Sequence, residues 1–498
     1  MKESNNLGNS IFKGALWTVL MRFSVRLLGI ISVLILARVL VPEDFGLVAK
    51  AVLISGFLEM CSQFGFGNAL IKNQDADQHD YSTAWTLAII RGVVIGGILI
   101  GLSGYFAQFL KEPALQPVFC VYGLATLISG FTNIGIVDFR KKMNFHLDFK
   151  FNLYLKLSSF FTTLTIALIW QTYWAFPIGI LVKEITSVIV SFTLSNHRPS
   201  FSLKRWRPLF DFSKWMLSYN ILSAVSLKLD AFILSRFGNE KELGLYTVAY
   251  EVAGTPSAEI AMPVARASLP GLSKLNQEPD KFRQMNADIL ANVLLITIPA
   301  GMGLSALSVE ATALLLGTQW SDAAIYIEIL AVFGITRVIG STSVSSLIAY
   351  GLVDMLAKLS IAVLLIRLTC LPLGYFLGQS VGMTLGVLVS GGLTMLMYLA
   401  IQRHFGMLAI GQLFRQIWRL TIASIVMYFA LTLFLVPLPL LSALPTAVSL
   451  LIMVFAGALL FVVCLVTFWL CSGKPQGVEH TTISWFMRKL PRQKLSAS

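Results

Sequence analysis

An all-α polytopic membrane protein of about 14 transmembrane helices is predicted by three observations on the sequence. Apolar stretches of about 20 residues, long enough at 1.5 Å per residue for the roughly 30 Å of bilayer hydrocarbon, recur between short polar breaks. The chain is 56% hydrophobic and 13% charged, about half the charge of a soluble domain. Basic residues gather in every second break and leave the others nearly empty, the alternation that a membrane imposes on its loops.

The apolar stretches place spans near 14–40, 44–67, 83–110, 114–136, 150–171, 174–196, 212–236, 244–268, 287–309, 324–350, 356–377, 380–402, 414–436 and 445–471. The first is too long for a signal-peptide core and has no small-residue cleavage site behind it, so it is expected to remain as a span. Basic breaks carry Lys72, the Arg140–Lys142 run, Lys204 to Arg207, Lys274 to Arg283, Lys358, Arg403 and the tail from Lys474 to Lys494. The intervening breaks hold Lys111 and Lys241, each beside a glutamate, or no charge at all. Both termini are therefore expected to be cytoplasmic, which agrees with an even number of spans.

The opening unit returns 198 residues later without a gap. Trp17 falls on Trp215, the Ile35–Arg38 run on Ile233–Arg236, and Gly46-Leu47 on Gly244-Leu245. Six spans separate the copies, so both enter the membrane in one direction, the mark of a parallel repeat. The expected organisation is an N-terminal lobe (1–196), a cytoplasmic linker (197–211) with Pro199 and Pro208, a C-terminal lobe (212–402), two added helices (403–471) and a basic tail (472–498).

No loop is long enough to fold into a catalytic domain. Phosphate-loop, zinc-protease and nucleophile-elbow patterns are missing, the five cysteines form no CxxC pair, and the five histidines lie in polar breaks or the tail. No catalytic residue, metal or cofactor is expected, and the net charge of +13 belongs to membrane-facing loops rather than to nucleic-acid binding. GxxxG spacings at Gly92/Gly96, Gly97/Gly101 and Gly374/Gly378/Gly382/Gly386 are expected to let helices approach closely.

Charges inside spans remain. The basic ones are Arg22, Arg26, Lys50, Arg91, Lys156, Lys183, Lys228, Arg266, Arg337 and Arg367; the acidic ones are Glu59, Glu184, Asp230, Glu251, Glu259 and Glu328. Lys183 with Glu184 and Lys228 with Asp230 are expected as internal pairs, and Lys156 and Arg266 lie near enough to a cytoplasmic end to snorkel. Arg26, Arg337 and Arg367 have no acid three or four residues away in their own helix, and Arg22 shares a face with Arg26. A guanidinium at that depth needs an anion, and its fork suits phosphate. The expected site is a cationic, water-filled cavity for a phosphate or diphosphate, with Glu59, Glu251 and Glu259 as counter-charges or candidates for ion coupling.

The stretch GALWTVLMRFSVRLLGIISVLILARVLVPEDFGLVAKA from Gly14 and the run Phe64 to Ile71 resemble Wzx-type polysaccharide repeat-unit flippases of the colanic-acid exporter-like branch, in the multidrug/oligosaccharidyl-lipid/polysaccharide (MOP) exporter superfamily. The resemblance implies two six-helix lobes around a central cavity in the cell inner membrane. The cargo it implies is undecaprenyl-diphosphate-linked oligosaccharide for exopolysaccharide, O-antigen or capsule, moved from the cytoplasmic to the periplasmic leaflet. By position it assigns Arg22, Arg26 and Arg266 to the diphosphate; Arg337 and Arg367 rest on the charge argument. It also implies a polysaccharide polymerase or export complex as a partner, besides membrane lipids. Two alternatives are a multidrug or cation antiporter of the same superfamily, which an arginine-rich cavity opposes, and a membrane-embedded glycosyltransferase or polymerase, which the short, nearly uncharged outer loops oppose.

Overall fold

A computed structural model describes residues 24–25, 27–62, 66–67, 70, 76–141, 144–254, 272, 275, 277–439 and 444–473 of the chain. Its long helices follow the predicted spans: α1 (Leu27–Val39), α2 (Pro42–Cys61), α3 (Gln78–Gly101, extended by Ser103–Phe109), α4 (Leu115–Ser129), α5 (Phe145–Trp170), α6 (Ala175–Leu194) and α7 (Trp206–Phe237). Then come α8 (240–254), α9 (Pro279–Ala306), α10 (Ala324–Tyr350), α11 and α12, the two arms of Val353–His404, α13 (Ile410–Ala430) and α14 (Thr446–Cys471). Among the described residues there is no strand, and eight helical segments are long and apolar enough to cross a membrane. The chain is an all-α polytopic membrane protein.

Helix ends differ from the predicted ones where polar residues cap or prolong a span. α3 begins at Gln78 because Asp77 accepts the Asp80 amide (2.9 Å) while Asp80 accepts that of Asp77 (3.1 Å), a capping box ahead of the apolar run. α9 begins at Pro279, whose ring suits a first helical turn, and its charged start is held by Arg283 donating to the Gly406 carbonyl (3.1 Å). Between α11 and α12 the backbone breaks at Gly378 and Gln379, the latter at φ 51°, where the sequence places a polar residue between two apolar runs. The arms close on glycine: a methyl group at Gly374 would stand 2.4 Å from the Gly382 carbonyl oxygen.

The chain divides into two compact units, residues 1–247 and 248–498, so α7 falls in the first. That unit has a core of Ala51, Leu99, Leu110, Phe119 and their neighbours. α3 and α4 approach closely through Gly92 and Gly96 on one side and Gly123 and Gly130 on the other, as their spacing predicts. Gly97 and Gly101 have open space instead, because they lie on another face of α3. Residues 197–205 run along the start of α3, where hydroxyls accept their amides: Ser200 to Ser82 (3.3 Å), Ser202 to Thr86 (3.0 Å) and Arg205 to Thr83 (3.4 Å).

The repeat has a structural counterpart inside this unit. A methyl group at Gly46 would stand 1.8 Å from the Glu240 carbonyl oxygen, and one at Gly244 would stand 1.9 Å from the Pro42 carbonyl oxygen. Pro42 and Glu240, like Gly46 and Gly244, are 198 residues apart, so each copy receives the other's glycine at the equivalent place. This is the reciprocity of a two-fold contact.

The second unit packs α9, α10 and α13 around Leu290, Leu294, Val338 and Leu413. A buried polar knot joins its helices: Asn286 donates to Gln402 (2.7 Å), Gln402 to Ser343 (2.6 Å) and Ser346 to Asn286 (2.6 Å). Every step has a donor and an acceptor, the condition under which polar groups are tolerated at that depth.

Candidate functional site

Of the residues singled out by charge, Arg22, Arg26, Arg266 and Glu259 lie outside the described residues. Arg337, Arg367, Glu59 and Glu251 lie within them, three in the second unit and Glu59 in the first.

Arg337 projects from α10 with its side chain exposed. Its Nη1 donates to the Tyr250 hydroxyl oxygen of α8 (3.0 Å), and the guanidinium lies over the Tyr250 and Phe333 rings at 5.5 Å and 6.0 Å from their centroids. Gly254, one turn beyond Tyr250, keeps the space beside Nη1 open: a methyl group there would sit 3.9 Å away. Ring faces attract and orient a cation without neutralising it. Among the described residues no carboxylate lies within ion-pair distance of Arg337, so most of its five N–H donors remain available to an anion. Arg367 on α11 is 9% exposed. Glu251 follows Tyr250 on α8 and is exposed, and Glu328 of α10 accepts from the Tyr428 hydroxyl (3.3 Å).

In the first unit the charges compensate one another. Glu59 of α2 accepts from Thr126 of α4 (3.2 Å), and the Lys183–Glu184 pair forms as predicted (2.6 Å). Arg91 of α3 stands within electrostatic range of both Glu59 and Glu184, and its buried Nε has no hydrogen-bond partner. The Tyr122 hydroxyl, also near Glu59, is likewise buried without one. Sequence reasoning lists Arg91 among the in-span charges but not among the site residues; its partners come from other helices and leave no local signal. Asp230 does not pair with Lys228. It accepts from the Tyr246 hydroxyl (2.7 Å) instead, because residues two apart on a helix point to different sides.

An apolar groove of about 520 Å³ runs between α9, α13 and α14 in the second unit, lined among others by Ile296, Pro299, Gly303, Met427, Gly457 and Phe461. None of its lining residues is charged. Such a slot fits a hydrocarbon chain.

Residues 35–325 match the family described as polysaccharide biosynthesis protein, more than half of the chain. The chain is 24% identical over 388 residues to the lipopolysaccharide biosynthesis protein WzxC of Escherichia coli K12, covering 77% of this chain and 79% of that protein. It is 23% identical over 354 residues to the teichuronic acid biosynthesis protein TuaB of Bacillus subtilis 168, covering 70% and 73%. Among solved structures, that of the lipid II flippase MurJ in an inward closed conformation superposes with a TM-score of 0.73 at 16% identity, over 91% of this chain and 99% of that one. At that identity the likeness is one of fold.

Proposed function

Because the chain belongs to the polysaccharide biosynthesis protein family, we propose that it is a flippase for lipid-linked oligosaccharide repeat units, not an enzyme. Its cargo in this reading is undecaprenyl-diphosphate-linked oligosaccharide, carried from the cytoplasmic to the periplasmic leaflet of the inner membrane. Relatives named for lipopolysaccharide and teichuronic acid biosynthesis support the pathway class, and the fold shared with a lipid II flippase is one that can move a lipid-linked cargo.

The observation that carries the reading is Arg337, an exposed guanidinium within a predicted span whose contacts among the described residues are a phenol oxygen and two ring faces. In this reading it is a receptor for a diphosphate, and Arg22, Arg26, Arg266 and Arg367 are the further residues assigned to the same cationic site. The groove along α9, α13 and α14 takes part of the polyprenyl chain. Transport proceeds by rocking of the two lobes, with both termini cytoplasmic. Moving two negative charges outward through an inside-negative membrane releases roughly 4–5 kcal/mol at 100 mV, a substantial driving force without nucleotide. Glu59, Glu251 and Glu259 are the residues at which proton or cation coupling would add to it.

The test is leaflet transfer of a fluorescent polyprenyl-diphosphate oligosaccharide in proteoliposomes, with the potential set by a potassium gradient and no nucleotide. Transfer by the wild type that is lost in Arg337→Ala and in Arg26→Ala supports the reading. Equal transfer by wild type and both variants removes the arginines from the site. Absence of transfer under every potential and proton gradient, with export of small cations, would make the chain a cation exporter.

A further inference from the structure

Lys50 lies two turns into α2, and its side chain is 3% exposed. Two carboxylates from other segments meet its ammonium: Glu112, at 3.4 Å, in the turn before α4, and Glu240, at the start of α8. One positive charge therefore faces two negative ones. The ends of the elements packed here also carry Arg38, Glu43, Asp44, Lys111, Arg236, Lys241 and Glu242. Asp44 caps its own helix through the Val41 amide (3.4 Å), and Arg236 lies over the Phe109 ring (5.9 Å). Among the described residues only Glu112 and Glu240 come within ion-pair distance of Lys50.

The excess carboxylate makes the cluster a place for a proton. Burial and the adjoining Glu240 push the Glu112 carboxyl up. Burial acts on Glu240 in the same direction, but hydrogen bonds from Glu112 and Lys50 overcome it and hold that carboxyl down to about 2. With one proton held between Glu112 and Glu240, the two carboxyls and the Lys50 ammonium together are neutral. These groups bind together the two turns that meet through Gly46 and Gly244. If the turns part, both carboxyls face water and return toward ordinary values. The joined arrangement thus holds the Glu112 proton more tightly than the parted one. The Glu112 share of the stabilisation is complete below the ordinary glutamate value and is lost as pH rises through the raised value, whereas the Glu240 share is complete above the ordinary value and is lost only as pH falls toward about 2.

We propose that Glu112 and Glu240, gathered by Lys50, form a proton-binding site that fastens the α7–α8 turn to the start of α2, so that a bound proton keeps the turns joined and its release lets them part. That this end faces the periplasm rests on the topology proposed above; there, external acid would hold the exit shut and external alkali would free it.

Hydrogen exchange read by mass spectrometry on the full chain in lipid nanodiscs, without cargo, tests the site. After correction for the intrinsic pH dependence, wild-type peptides spanning 238–247 are expected to be protected at pH 5.5 and to lose protection by pH 8. Glu112→Gln, which keeps the donor without the titration, is expected to stay protected at both. Glu240→Gln is expected to lose protection at both, while an α14 peptide, as the folding reference, is unchanged in all three. Identical pH profiles for wild type and Glu112→Gln, or wild-type protection in Glu240→Gln, would overturn the proposal. Because no cargo is present, a proton response without lipid transfer breaks the flippase reading alone, and lipid transfer without a proton response breaks this one alone.

Discussion

Lys50 and Arg337 are both cations within predicted spans, and they are accommodated in opposite ways. Lys50 is enclosed and offered two carboxylates; Arg337 is exposed and offered a phenol oxygen and two aromatic faces. A neutralised cation acts as a fastener, because taking it apart exposes both partners at once. A cation that is oriented but left with its charge acts as a receptor. Arg91 is intermediate: Glu59 and Glu184 of the first unit stand within electrostatic range, but its buried Nε has no hydrogen-bond partner. The neighbourhood of an in-span charge, more than its position along the span, separates the proposed receptor from the fastener.

The sharpest way to break the contrast is at Arg337. Arg337→Ala is expected to abolish leaflet transfer in proteoliposomes while the melting temperature in detergent stays at the wild-type value. Arg337→Lys should keep part of the rate, having the charge but not the fork. Next in size is Lys50→Met, which leaves two carboxylates facing each other and should lower stability by about 3 kcal/mol, read by thermal melting. A Lys50→Met protein that melts normally yet fails to transport would exchange the two roles. Gly244→Ala drives a methyl group into the Pro42 carbonyl and should cost about 1–3 kcal/mol in the same melt. The smallest effect separates the two glycine pairs of α3. Gly96→Ala meets the Gly123 carbonyl oxygen at 2.6 Å and should destabilise, whereas Gly97→Ala, in open space, should stay within about 0.5 kcal/mol of wild type.

Much of the fold is written locally in the chain. Hydrophobic length and charge alternation place the spans, and a lone polar residue marks the break at Gln379. The duplication is legible as well, since positions related by the ungapped register of 198 residues meet backbone to backbone in the folded protein. What escapes is who pairs with whom. Glu112 and Glu240 each stand beside a lysine in sequence, and a local reading gives them to Lys111 and Lys241. The fold gives both to Lys50, 62 and 190 residues away. Lys183 and Glu184 are neighbours that do pair, so adjacency is informative only when nothing stronger competes. The proposed receptor at Arg337 is half legible: the absence of an acid three or four residues away in its own helix shows in the sequence, but Tyr250, 87 residues upstream, does not.

The reciprocal glycine contact also records history. Gly46 against residue 240, and Gly244 against residue 42, is the arrangement that a half-length ancestor would present when paired with a second copy of itself. Fusion of the halves into one chain frees such an interface from self-complementarity, and the positions around it show that freedom. The equivalent of Lys50 is Val248, and that of Glu240 is Pro42. The glycines thus keep the reciprocity of a symmetric pair, and the lysine with its glutamates breaks it, which a single polypeptide allows.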